Sequence, residues 1–350
     1  VTALLVSVVA AACGAAQPDL SSPSRSPSTT APSAQPTQAA TSSAAGTPAA
    51  TPDVAAVRLV EFPVGRGQGP HDVAPAPDGG VWYTAQRTGE LGCLDPKTGA
   101  TRMVKLGSGS APHGVIVGPD GAPWVTDGGL NAIVRVDPVS KEVTVFRLPG
   151  PNANLNTAAF DRYGILWFTG QSGYYGHLDP QTGALKVLQS PRGAGPYGIT
   201  ATPDGAIFYA SLASSHIASV DLKEDIATPI DPPTRGQGAR RVWSDSKAQI
   251  WVSEWNAGQV GVYLTDSRQW KEWKIPGSAM PYAVYVDDQD IVWLTDFGAN
   301  AIVRFDPTTE KFTSYPHAQP NAAVRQLLGR PGEVWGAMSG QDKLLLIRTR

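Results

Sequence analysis

Seven times along this chain an aromatic residue closes the same short phrase, at Trp82, Trp124, Trp167, Phe208, Trp251, Trp293 and Trp335. The steps between them are 42, 43, 41, 43, 42 and 42 residues. So regular a period means an array of equivalent units, each too small to bury its own apolar face and stable only against its neighbours. The first four units place a turn phrase ahead of the aromatic: Pro77-Asp78-Gly79, Pro119-Asp120-Gly121, Asp161-Arg162-Tyr163-Gly164 and Pro203-Asp204-Gly205.

The second unit serves as specimen. His113-Gly114-Val115-Ile116-Val117 is short and rich in β-branched residues, Pro119-Asp120-Gly121 turns the chain, and Pro123-Trp124-Val125-Thr126 returns as a second strand. Asn131–Val136 alternates as a third, and Glu142–Leu148 follows Asp137-Pro138-Val139-Ser140 as a fourth. Four short strands in about 42 residues describe a propeller blade. The expected fold is therefore all-β, a seven-bladed propeller of four-stranded blades. The seventh unit supplies only three strands before Arg350, whereas Val57–Val64 reads as a spare fourth strand ahead of the first blade. That segment is predicted to complete blade seven and remove two exposed sheet edges. With 37 Gly and 31 Pro spread through the chain, helices have little room.

The repeat claims residues 56–350 as one propeller. Residues 1–13 form an apolar segment ending Ala10-Ala11-Ala12-Cys13, which resembles the end of a bacterial lipoprotein signal with Cys13 as the lipidated residue. Residues 14–55 are a Ser/Thr/Pro/Ala linker, nearly uncharged and too poor in apolar bulk to fold. The expected product is an exported, monomeric head tethered to the extracytoplasmic side of the envelope, meeting the membrane only through its lipid anchor. With a net charge of −2 and scattered basic residues, no sequence feature asks for nucleic acid or an anionic surface, and no nucleic-acid partner is expected. Cys93, the second of two cysteines, is expected as a buried free thiol in a strand. The ten Trp read as blade packing.

In such a ring the first strand of each blade lines the axis. Strand-one starts and strand-two ends should meet at one channel mouth. Eleven residues before each aromatic stand His71, His113, Asn156, Tyr197, Arg240, Tyr282 and Val324; three after it stand Ala85, Asp127, Gly170, Ser211, Glu254, Asp296 and Met338. Adding Arg241 and Arg325 beside the strand-one positions, the candidate ligand-binding residues are His71, His113, Asp127, Asn156, Tyr197, Arg240, Arg241, Glu254, Tyr282, Asp296 and Arg325. Arg240, Arg241, Glu254, Tyr282 and Asp296 are expected to form the densest cluster. Glu254 and Asp296 are weak candidates to share a divalent cation, or else pair with the arginines; His71, His113 and Asp127 form a partial ligand set. A solvated rim with no ligand also fits these residues. No nucleophile elbow, zinc-protease helix or phosphate loop is present, and Gly65-x-Gly67-x-Gly69 precedes a strand, so it reads as a turn.

The phrases Gly69-Pro70-His71, Ala111-Pro112-His113-Gly114-Val115, Gly195-Pro196-Tyr197-Gly198-Ile199 and Leu166-Trp167-Phe168-Thr169 resemble the streptogramin B lyase (virginiamycin B lyase) family. Asn131–Pro138 and Asn300–Pro307 add to the resemblance, which spans all seven units. It implies a seven-bladed propeller with an axial site that opens a cyclic depsipeptide by elimination, using a general base and Mg²⁺. The family's Pro-His phrase of blade six is Pro281-Tyr282 here, its Glu-Pro-His of blade seven is Ala322-Ala323-Val324, a further glutamate position is Met338, and a blade-one tyrosine is His71. Base and metal ligands are thus lost together. Three readings stand: a propeller binding a small-molecule or peptide-like ligand without the family's chemistry; an enzyme, foremost a carbon–oxygen lyase or else a hydrolase, with a rearranged set such as His71, His113, Glu254 and Asp296; and a protein-interaction platform at the cell surface.

Overall fold

The computed structural model describes residues 57–349; the signal-like segment 1–13 with Cys13 and the linker 14–55 lie outside the described residues. Among the described residues there are twenty-eight strands and no helix, arranged as seven antiparallel sheets of four. Six sheets are simple meanders in chain order. Their first strands are Pro70–Pro75, Pro112–Val117, Leu155–Phe160, Pro196–Ala201, Ala239–Ser244 and Pro281–Val286. With Val324–Arg330 of blade seven, each touches the first strand of the blades on either side, so the seven form an inner ring. The specimen blade has the strands expected: Pro112–Val117, Pro123–Asp127, Ala132–Val136 and Val143–Arg147.

Closure follows the sequence expectation. Arg58–Pro63 pairs antiparallel with Lys343–Arg348, with Leu59 opposite Ile347 and Phe62 opposite Leu344. Lys343 Nζ meets Glu61 Oε2 at 2.7 Å, and Phe62 and Val64 pack onto Trp335, Ala337 and Leu344. The Asp342 carboxylate accepts from the amides of Gly67 and Gly69, both at 2.7 Å. Those two residues have φ of +81° and +54°, which glycine adopts without the Cβ clash. The glycine-rich turn thus helps fasten blade one to blade seven.

The repeated aromatic is the core of each blade, and all seven copies are buried. Its indole N–H also needs an acceptor. Trp167, Trp251 and Trp293 donate to Asp161, Asp245 and Asp287, each six residues earlier, at 2.8–3.0 Å. Each of these carboxylates also accepts amides of its own turn, so the turn acid and the aromatic form one unit. Where the aromatic is Phe208 the residue six earlier is Thr202, matching the missing donor. Cys93, expected to be buried, is half-buried, a free thiol whose ionisation is pushed up by burial and then by Asp78.

Candidate functional site

Every first strand carries a β-bulge near its axial start. The ladder slips between Pro70 and Val73, Pro112 and Gly114, Leu155 and Ala158, Pro196 and Ile199, Ala239 and Val242, Pro281 and Val284, and Val324 and Leu327. A bulge leaves residues unpaired and re-aims their side chains. The residues freed are His71-Asp72, His113, Asn156-Thr157, Tyr197-Gly198, Arg240-Arg241, Tyr282-Ala283 and Arg325-Gln326.

In five blades a hydroxyl on strand two catches the loosened backbone, whereas blades four and seven carry Ala210 and Ala337 at that position. Thr84 Oγ1 accepts from Asp72 N at 2.9 Å and donates to the His113 carbonyl of the next blade at 2.9 Å. Thr126 accepts from Gly114 N and donates to Asn156 O; Ser253 accepts from Arg241 N and donates to Tyr282 O. Thr169 likewise donates to Tyr197 O. These hydroxyls, two residues after the aromatic, fix neighbouring bulges to one another and so hold the ring of site residues.

At the axis, His71 Nδ1 lies 2.8 Å from Asp72 Oδ1, and Arg241 Nη2 reaches from blade five to the same oxygen at 3.1 Å. Arg241 Nη1 and Nη2 both lie 3.4 Å from Asp72 Oδ2. The rings of His71 and His113 are 3.8 Å apart, and His113 Nδ1 faces the Asn156 carbonyl at 3.0 Å. Tyr197 and Tyr282 share a hydroxyl contact of 2.7 Å, and Arg240 Nη2 donates to Tyr197 Oη at 2.9 Å. The Arg240 guanidinium lies 3.7 Å from the centre of the Tyr282 ring and 4.6 Å from those of Tyr197 and Trp255. Arg325 lies 5.8 Å from the Tyr282 ring. Asp72 and Arg241 border a small cavity of about 30 Å³, and the far ends of the same strands line an apolar chamber of about 300 Å³ that includes Phe160 and Trp243.

The electrostatics are one-sided. Burial, then Arg325, Arg241 and Arg240, holds His71 well below the usual histidine range. Burial, then His71, does the same to His113, so both are neutral at pH 7. Burial lifts the Asp72 carboxyl against the pull of Arg241. Burial likewise opposes the Arg241 charge, yet Asp72 keeps that guanidinium above its usual value. Burial raises Tyr197 strongly. Tyr282 is equally buried, but Arg240, Arg241 and Arg325 outweigh the burial and bring its phenol down.

The sequence candidates divide into two groups. His71, His113, Asn156, Tyr197, Arg240, Arg241, Tyr282 and Arg325 meet at the mouth. Three others belong elsewhere. Asp127 accepts from Ser110 Oγ and from the amides of Ala111 and Leu130, and Asp296 from the amides of Met280, Gly298 and Ala299; both brace loops of their own blades. Glu254 leans across Gly261 within blade five, where burial and then Glu272 push its carboxyl up to about 8. The expected cluster of Glu254 and Asp296 with the arginines does not form, and neither acid pairs with Arg240 or Arg241. The pairing and metal roles sketched for Glu254 with Asp296, and for Asp127 with the histidines, have no geometric basis. Strand-two ends point along the blade or into loops, whereas only the bulge re-aims side chains to the axis.

In blade seven Val324 pairs with Met338 and Arg325 takes the bulge position, because that hairpin turns on Pro331-Gly332 alone and shifts the count by one. Asp72, Trp255 and Phe297 were not read as site residues. Asp72 had a signal, a carboxylate between His71 and the apolar Val73-Ala74-Pro75 of the same strand. Trp255 and Phe297, each four residues after the repeated aromatic, edge and stack on Tyr282 with centroids 5.9 and 4.8 Å away.

The divalent cation implied by the family resemblance does not fit this mouth. Ala322, Val324 and Met338 pack with Tyr282 in an apolar cluster and offer no side-chain oxygen. Among the described residues the one group of three or more His, Cys, Asp or Glu side chains with ligand atoms within 4.8 Å of one another is His71, Asp72 and His113. There Asp72 already holds Arg241, and two further guanidiniums stand nearby.

The sequence profile described as the virginiamycin B lyase family matches residues 54–279. No curated protein matches the chain by sequence. A solved streptogramin B lyase superposes with a TM-score of 0.77 at 23% identity, covering 83% of this chain and 97% of that one. Virginiamycin B lyase from Staphylococcus aureus gives 0.78 at 22% identity, covering 84% and 99%. A catalytically inactive histidine-to-alanine form of that enzyme, crystallised with quinupristin, gives the same values. At these identities the superpositions speak for the fold, and the profile, which takes in more than half the sequence, for the kinship: the chain belongs to the virginiamycin B lyase family.

Proposed function

We propose that this protein binds the carboxylate of a linear, peptide-like ligand at its axial mouth and does not perform the metal-assisted elimination associated with its family. One observation carries the reading. Three guanidiniums, of Arg240, Arg241 and Arg325, converge on Tyr282, and the one carboxylate beside them, Asp72, is spent on Arg241. Arg240 and Arg325, both partly exposed, are in no ion pair among the described residues. Elimination of a cyclic depsipeptide ester releases a carboxylate, so the arginine-rich mouth suits an opened chain better than the neutral ring. Charge-assisted bonds from Arg fix such a group in place. The apolar segment before Cys13 and the Ser/Thr/Pro/Ala linker support a head exported and tethered at the extracytoplasmic surface.

Calorimetric titration of the purified protein with quinupristin and with its ring-opened acid tests this. The acid should bind about 10- to 100-fold more tightly, the worth of one or two charge-assisted bonds. Arg240→Ala and Arg325→Ala should erase the difference. Equal affinity for both forms, or no effect of either variant, contradicts the proposal.

A second reading, a metal-free lyase, draws on the His71–Asp72 contact. An acid bound to Nδ1 orients a neutral imidazole and leaves Nε2 free to take a proton. Ring opening that resists chelation and disappears in His71→Ala would favour it.

A further inference from the structure

We infer that blade five holds a hard divalent cation of the Ca²⁺ class between Glu254, Glu272 and Gln237, on the face turned toward blade four and apart from the axial mouth. Glu254 and Gln237 are both fully buried at 0% exposure, and neither carboxylate oxygen nor either amide atom has a hydrogen-bond partner. Buried polar groups are rarely left so; each deserves an unseen partner.

The two acids flank one glycine. Val252, Gly261 and Glu272 are cross-strand neighbours, and Glu254 lies two residues beyond Val252 on the same face. A Cβ on Gly261 would stand 2.4 Å from Glu254 Oε1 and 3.6 Å from Glu272 Cγ. Glu272 is anchored by Thr234 Oγ1 at 2.6 Å, in the loop that leads to Gln237. The Gln237 carbonyl accepts from Asn256 N and Ala257 N, two and three residues after Glu254. Lys274 donates to the Ala257 carbonyl and makes no ion pair with either acid, and its charge offsets theirs only in part, since the Glu254 carboxyl stays raised.

Blade one shows what this position holds when it needs no ion. Gln68, three residues before His71 as Gln237 is before Arg240, accepts from Tyr83 Oη at 2.9 Å and lies 3.4 Å from Met103 Sδ. The Tyr83 ring covers Gly92, with Met103 opposite on the next strand. Blade five replaces Tyr83 by Val252, Met103 by Glu272 and Ala85 by Glu254. A filled, hydrogen-bonded pocket thus becomes one lined by two carboxylates and an amide. Ca²⁺ takes carboxylate and amide oxygens, and two carboxylates balance its charge.

The test is calorimetry and thermal melting of the chelator-treated, full-length protein with CaCl₂ or MgCl₂. One Ca²⁺ per chain should bind, raising the melting temperature by about 5 °C at a hundredfold excess over Kd. Glu254→Gln should fold, as its own melt will show, and lose both effects; Glu272→Gln should weaken binding at least tenfold. Trp-sensitised Tb³⁺ emission, with Trp255, Trp270 and Trp273 in the same blade, should follow the same pattern. Absence of binding by the wild type at millimolar Ca²⁺ overturns the inference. So does unchanged binding by Glu254→Gln.

Discussion

Asp72 and Arg241 join blades one and five across the axis at 1% and 4% exposure, and cutting either side of that pair should be costly while cutting both should not. Arg241→Met leaves the Asp72 carboxylate buried with His71 as its remaining side-chain partner. Breaking one side of a buried pair costs about 3–5 kcal/mol, whereas replacing both partners by groups of similar volume is often nearly neutral. Asp72→Asn should cost a comparable amount by stranding the guanidinium, and the double variant Asp72→Asn/Arg241→Met should cost about 0–2 kcal/mol. The cycle would then show a coupling of roughly 3 kcal/mol or more. In urea, with a slope of about 3 kcal/mol/M, each single variant should lower the midpoint by about 1 M, and the double variant should recover most of it. Singles that each cost under about 1 kcal/mol and simply add would refute the claim that this pair ties the ring across its centre.

Acid should erode the stability that the axial histidines contribute. The buried neutral His71 and His113 have folded pKa values below the usual 6.5, so the unfolded chain binds more protons as pH falls through that value. The histidine contribution should be constant above about pH 6.5 and decline below it, so the stability difference between the parent and His71→Asn should shrink as pH falls. Glu254, raised to about 8, acts in the opposite sense in both proteins. A difference that stays constant down to about pH 5 would count against neutral burial. Thr84→Val removes the hydroxyl between Asp72 N and the His113 carbonyl and should cost about 1–3 kcal/mol by denaturation, with no change predicted for a Thr→Val change at exposed Thr308. Removing residues 58–63 should expose the edge of Lys343–Arg348 and produce aggregates by light scattering; a monodisperse, cooperatively melting product would contradict the closure.

The ring was legible because its physics is periodic. One aromatic per blade, Trp in six and Phe208 in the fourth, with turn glycines and β-branched strands at a fixed spacing, asks for a closed array that buries every copy. The axial residues His71, His113, Tyr197, Arg240 and Tyr282 were legible for the same reason, since a count from the aromatic lands on the same bulge in each blade. The count failed where a loop length changed, at Val324 and Arg325. Strand-two ends were misread because alternation says which face a residue occupies but not that a bulge swings only strand one toward the axis. Glu254 thus turned into its blade over Gly261, while Asp127 and Asp296 were taken up by loop amides. Asp72 went unread because partners separated by 169 residues leave no local spacing to follow.

The most direct measurement incubates the purified protein with quinupristin, with Mg²⁺ or with EDTA, and follows ring opening by mass spectrometry. An axial mouth rich in guanidinium and lacking the family's carboxylates predicts no Mg²⁺-dependent opening above the buffer rate. Opening that requires Mg²⁺ and stops on chelation would contradict the account.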